Sequence, residues 1–115
     1  MAANQFPSTT DEQFTKGRFS DTVAIVTGGA SGIEEAIVKR FANDGATVIM
    51  IGFHSVERGK ELEKSLTAAG HQVEYMVCDV SDRDQCIQAV NTVAEKHGKV
   101  NFLVNNAVFY VRKGK

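Results

Sequence analysis

The segment Thr27-Gly-Gly-Ala-Ser-Gly-Ile33 limits the possible folds of this chain more than any other. A short apolar run, Val23 to Val26, precedes it. An apolar stripe at Ile33, Ala36, Ile37, Arg40 and Phe41 follows, with the spacing of one helix face. Arg40 is expected at the border of that face with its head in water. A strand that ends in a glycine-rich turn and resumes as a helix is the opening of a βαβ unit. Unsatisfied N–H groups at the helix start, with the positive end of the dipole, favour an anion there. Gly28 suits a turn that needs positive φ. Gly32 has no Cβ to hold off a phosphate, and Ser31 adds a hydroxyl donor. The spacing is not G-x-G-x-x-G, because Ala30 and Ile33 stand at glycine positions.

The rest of the chain repeats the alternation of strand and helix. Gly45 is expected to stop the first helix. Thr47-Val-Ile-Met-Ile51 is β-branched and lacks polar alternation, so it is buried on both faces, as in a parallel sheet covered by helices. A second helix is predicted from about Val56 to Ala69, with Leu62, Leu66 and Ala69 inward and Gly70 at its end. Gln72 to Val77 is a less apolar strand suited to a place near the sheet edge. Ser81-Asp82-Arg83-Asp84 has the form of a capping box. The third helix is predicted to bury Cys86, Val90, Val93 and Ala94, with Gly98 closing it. Val100 to Val104 is the last strand. The order β-α-β-α-β-α-β predicts a parallel sheet with right-handed crossovers.

Size and composition fit one domain: 115 residues, 43% hydrophobic and 23% charged. A net charge of −1 gives no basic surface for nucleic acid or anionic membrane. No apolar run approaches the roughly 20 residues that span a bilayer. Met1 to Lys16 does not read as a secretory signal. Two cysteines, Cys78 and Cys86, are too few for a zinc site and read as buried reduced thiols, which suits the cytoplasm.

With the turn and its flanks in view, the chain resembles the short-chain dehydrogenase/reductase family. The family pattern T-G-x-x-x-G-I-G is matched from Thr27 to Ile33. Asp79-Val80 stands after the third strand, where the family has an Asp that contacts adenine. Asn105-Asn106-Ala107 stands after the fourth, where the family has N-N-A-G. The resemblance implies a Rossmann-type three-layer α/β fold, sheet order 3-2-1-4, truncated after the fourth strand. It divides the chain into a polar arm (1–18), a partial dinucleotide-binding domain (19–108) and an atypical tail (109–115). The implied cofactor-binding residues are Thr27, Gly28, Ser31, Gly32, Ile33, Gly52, Asp79, Val80, Asn106 and Ala107. Asn105 would steady the central sheet. No metal ligands are implied.

The chain also departs from the pattern. Glu34 replaces the last glycine of the turn motif, which in this fold permits close packing of helix on strand. A charge pair about 5 Å apart repels by about 3 kcal/mol at an effective dielectric of about 20, more than the roughly 0.3–1 kcal/mol gained at a helix N-terminus. Glu34 is thus expected to weaken dinucleotide binding; the competing expectation is an outward side chain with little effect. Gly52 stands where an Asp would select NAD, and so leaves room for a 2′-phosphate. His54 and Arg58 are the nearest basic groups. The reading leans to NADP, with NAD open. The family chemistry needs a serine and a Tyr-x-x-x-Lys pair, but Tyr110 is followed by Lys113 and Lys115 at other spacings. No catalytic residue is assigned.

Three functions compete: an oxidoreductase lineage, a non-catalytic module that binds a nucleotide or a protein partner, and a fragment with no independent role. The fourth strand is expected as an exposed apolar edge, with Phe102 and Val104 near it, through which chains self-associate.

Overall fold

A computed structural model of the chain describes residues 17–28, 32–53 and 56–105. The elements are β1 (Val23–Thr27), α1 (Gly32–Asn43), β2 (Thr47–Gly52), α2 (Val56–Ala68), β3 (Val73–Val77), α3 (Arg83–His97) and β4 (Phe102–Asn105). The strands form one parallel sheet, as their alternation with helices predicts, in the order β3-β2-β1-β4 that the family resemblance implies. β1 and β2 pair in register from Val23–Thr47 to Thr27–Ile51 and are buried almost throughout. Their uninterrupted apolar character is what a central strand with helices on both faces requires.

Alternation along β2 separates two cores. Val48 and Met50 meet Val26, Val38, Ala42, Leu62, Leu66 and Tyr75 beneath α1 and α2. Ile49 and Ile51 meet Val23, Ile25, Cys78, Ala89 and Val93 beneath α3. A triangle of rings, Phe19, Phe41 and Phe102, with centroids 5.1 to 5.5 Å apart, ties the segment before β1 to α1 and β4. Gly45, Gly70 and Gly98 all have positive φ at the helix ends where the sequence places stops.

Several local expectations are corrected. The inner face of α1 is Glu34, Val38 and Ala42, with Ile37 and Phe41 partly buried; Ile33 is 68% exposed and Ala36 is exposed. Choosing the stripe by apolarity alone included Ile33 and rotated the face away from its true centre. Arg40 does not leave its whole head to water, since its Nε lies 3.2 Å from the buried Asp44 carboxylate. α2 ends one residue early, and Ala69 is exposed. The cap of α3 is Asp82, whose carboxylate accepts from the N–H groups of Asp84 and Gln85, so the capping pair is Asp82 with Gln85 and not Ser81 with Asp84. α3 buries Ala89 and Val93, while Cys86 and Ala94 are half-buried and Val90 is exposed. β4 runs from Phe102 to Asn105, not from Val100.

Candidate functional site

The order of the strands reverses between β1 and β4, and the carboxyl ends of these neighbours frame a crevice. In open parallel sheets ligands bind at this reversal. A cleft of about 180 Å³ lies there, lined by Ile25, Thr27, Ile51, Val80, Cys86, Val90, Leu103 and Asn105. Thr27 is fixed at the rim: its hydroxyl donates to Asn105 Oδ1 at 3.0 Å and to the Val104 carbonyl at 3.4 Å. These bonds join the ends of β1 and β4, where the family resemblance implies that Asn105 steadies the sheet.

Gly28 leaves β1 at φ 151°, a conformation that L side chains rarely adopt, and its N–H donates to the Ile51 carbonyl at 3.0 Å. The chain is thereby held over the end of β2 before α1 starts at Gly32. A Cβ at Gly32 would have nothing within 4 Å, so this position faces open space, as a phosphate approach needs. Ser31, His54, Asn106 and Ala107 lie outside the described residues.

Asp79 and Val80 follow β3 on the same side of the sheet. Asp79 Oδ1 accepts from the Ser81 N–H at 3.0 Å and from its hydroxyl at 2.7 Å. The Asp79 N–H donates to Gln85 Oε1 at 2.9 Å, and Gln85 Nε2 donates to Asp82 Oδ2 at 3.2 Å. The first turn of α3 therefore shapes the Asp79-Val80 turn. The sequence reading missed Gln85; its signal is a Gln three residues after an Asp N-cap.

Two expectations at this site change. Gly52 is buried, and a Cβ there would overlap the Gly28 carbonyl oxygen and stand 2.8 Å from the Tyr75 hydroxyl. The space vacated by the missing side chain is filled from within and does not remain open for a 2′-phosphate. Glu34 is 0% exposed, so it points neither outward nor into open solvent. It lies on the inner face of α1, near Tyr75, whose phenol pKa is raised by burial first and by the Glu34 charge second. Arg58 is held by Glu35, with its Nη2 3.6 Å from the carboxylate, and Lys39 reaches the same group at 2.8 Å. Both cations, Lys39 most strongly, lower the pKa of Glu35.

The model of short chain dehydrogenases matches residues 22–114. The chain belongs to the short-chain dehydrogenase family. Among curated relatives, the chain is 40% identical to a 3beta-hydroxysteroid dehydrogenase of Mediterraneibacter gnavus, over 82% of this chain and 34% of that protein. It is 41% identical to a 3-oxoacyl-[acyl-carrier-protein] reductase of Thermotoga maritima, over 78% of this chain and 36% of the relative. A solved short-chain dehydrogenase/reductase variant of Serratia marcescens superposes with a TM-score of 0.76 at 35% identity, covering 82% of this chain and 38% of that one. NAD+-bound xylitol dehydrogenase superposes with a TM-score of 0.69 at 29% identity, covering 75% and 33%. The chain thus spans about a third of the length of the curated dehydrogenases it matches. Among the described residues no helix is long and apolar enough to cross a membrane.

Proposed function

We propose that these residues form the dinucleotide-binding part of a short-chain oxidoreductase, taking NADP or NAD at the carboxyl edge of the sheet. The observation that carries this reading is the juncture of β1, Gly28 and the start of α1, beside the cleft at the strand reversal. Thr27, Gly28, Ser31, Gly32 and Ile33 would hold the pyrophosphate, and Asp79 and Val80 the adenine. Asn106 and Ala107 would line the cleft toward the nicotinamide, which supplies or accepts hydride when the cofactor is bound. The lean to NADP now rests on Arg58 alone among the described residues, and Arg58 must be shared with Glu35. Buried in the first turn of α1, Glu34 would lower affinity: a charge pair about 7 Å apart repels by about 2 kcal/mol at an effective dielectric of about 20, or about thirtyfold in Kd.

Carbonyl reduction by these 115 residues is not expected, because no Tyr in the sequence has a Lys four residues on. The test is a titration with NADPH and with NADH, followed by an assay of NADPH oxidation with a panel of ketones. Saturable binding without turnover supports the proposal. Turnover, or no binding of either nucleotide, would overturn it.

The exposed edge supports a second reading, in which the chain binds a partner. β4 ends the sheet among the described residues, and Leu103 on it is 62% exposed. Self-association through this edge is part of the proposal.

A further inference from the structure

Cys78 directly follows β3, and Cys86 sits in the first turn of α3. They flank the Asp79-Val80 turn. Cys78 is 2% exposed and belongs to the core beneath α3, against which Cys86 packs half-buried. Cys86 thus packs against the cluster that holds Cys78, and its Sγ donates to the Val80 carbonyl at 3.3 Å, two residues past Cys78. Both thiols are free. Cys86 lines the cleft, so a small oxidant reaches it, whereas Cys78 lies behind it.

We propose that Cys78 and Cys86 are a peroxide-responsive dithiol, which closes to an intramolecular disulfide and in doing so weakens dinucleotide binding at the Asp79-Val80 turn. The effect on binding rests on the reading above that this turn meets the cofactor. In the first step the Cys86 thiolate attacks hydrogen peroxide: an S–O bond forms, the O–O bond breaks and hydroxide leaves. In the second the Cys78 thiolate attacks the sulfenic sulfur, forming S–S and expelling hydroxide. Two thiols lose two electrons and two protons, and one peroxide becomes two waters.

Burial pushes the Cys78 thiol up to about 11, with Cys86, Asp79 and Asp82 adding to the rise. The closing step therefore quickens as pH rises toward that value, since the thiolate is the attacking form. A disulfide needs the sulfurs about 2.05 Å apart. Cys86 must then leave the Val80 carbonyl, and the residue that lines the cleft loses its anchor to α3.

The reduced chain is treated with hydrogen peroxide, quenched with an alkylating agent and analysed by peptide mass spectrometry, alongside Cys86→Ser. The expected result is a peptide linked between Cys78 and Cys86, lighter by two hydrogens, reversed by dithiothreitol and absent from the variant. NADPH affinity is expected to fall about tenfold on oxidation, equivalent to about 1.4 kcal/mol. Oxidation of Cys86 beyond sulfenic acid while Cys78 stays alkylatable would overturn the proposal. So would disulfides only between chains, or a linked chain that binds NADPH as the reduced one does. If the reduced chain binds no dinucleotide, the cofactor reading fails, and the linked peptide still decides the dithiol.

Discussion

Glu34 and Tyr75 are both buried, and the Glu34 charge acts on the Tyr75 phenol. A buried carboxylate costs several kcal/mol unless its surroundings compensate. The isosteric Glu34→Gln removes the charge and keeps the shape. It is expected to tighten NADPH about thirtyfold, by relief of about 2 kcal/mol of repulsion; calorimetric titration checks this. An unchanged Kd would show that the inward carboxylate does not reach the phosphates. The Tyr75 hydroxyl is buried and has no hydrogen-bond partner among the described residues. Tyr75→Phe should therefore cost little or add up to about 1 kcal/mol of stability, read as a shift in the urea midpoint. The presence of Glu34 was legible in the sequence, because it breaks a glycine pattern. Its direction was not, because a helix face is set by what α1 packs against and not by which of its residues are apolar.

The helix stops and the alternation of strand and helix followed from local signals, and so the sequence carried them, whereas the strand order came from the family resemblance. Glycine stops, β-branched strands and the alternation of the two are properties of neighbouring residues. The contacts across elements were hidden: Gly52 against Gly28 and Tyr75, or Arg58 against Glu35, join residues far apart in the chain. Gly59 shows the difference. In an isolated helix Gly→Ala gains about 1 kcal/mol. Here a Cβ would overlap the edge of the Tyr75 ring. Gly59→Ala is thus expected to destabilise the chain by about 1–3 kcal/mol, the usual cost of overpacking, in denaturant unfolding. At α3, Asp82→Ala removes the acceptor for two N–H groups and should cost about 1 kcal/mol.

Across the whole molecule, buried groups set the response to alkali. The Cys78 thiol moves from 9.0 to about 11, and the Tyr75 phenol also moves up. Raised pKa values favour the protonated, folded form. Their contribution is complete below the unfolded pKa and is lost as pH rises through the folded one. Stability is therefore expected to fall between about pH 9 and 11 in urea melts, and Cys78→Ala should flatten that fall. Under the proposal, the exposed β4 edge is expected to give concentration-dependent association in sedimentation, which Leu103→Lys should reduce. Everything assigned to function depends on where a dinucleotide binds. Amide chemical shifts recorded by NMR during an NADPH titration locate it directly. The account predicts saturable shifts at Gly28, Gly32, Ile33, Asp79 and Val80. Shifts confined to the opposite end of the strands, around Asp21, Thr47 and Lys99, or no shifts at all, would contradict it.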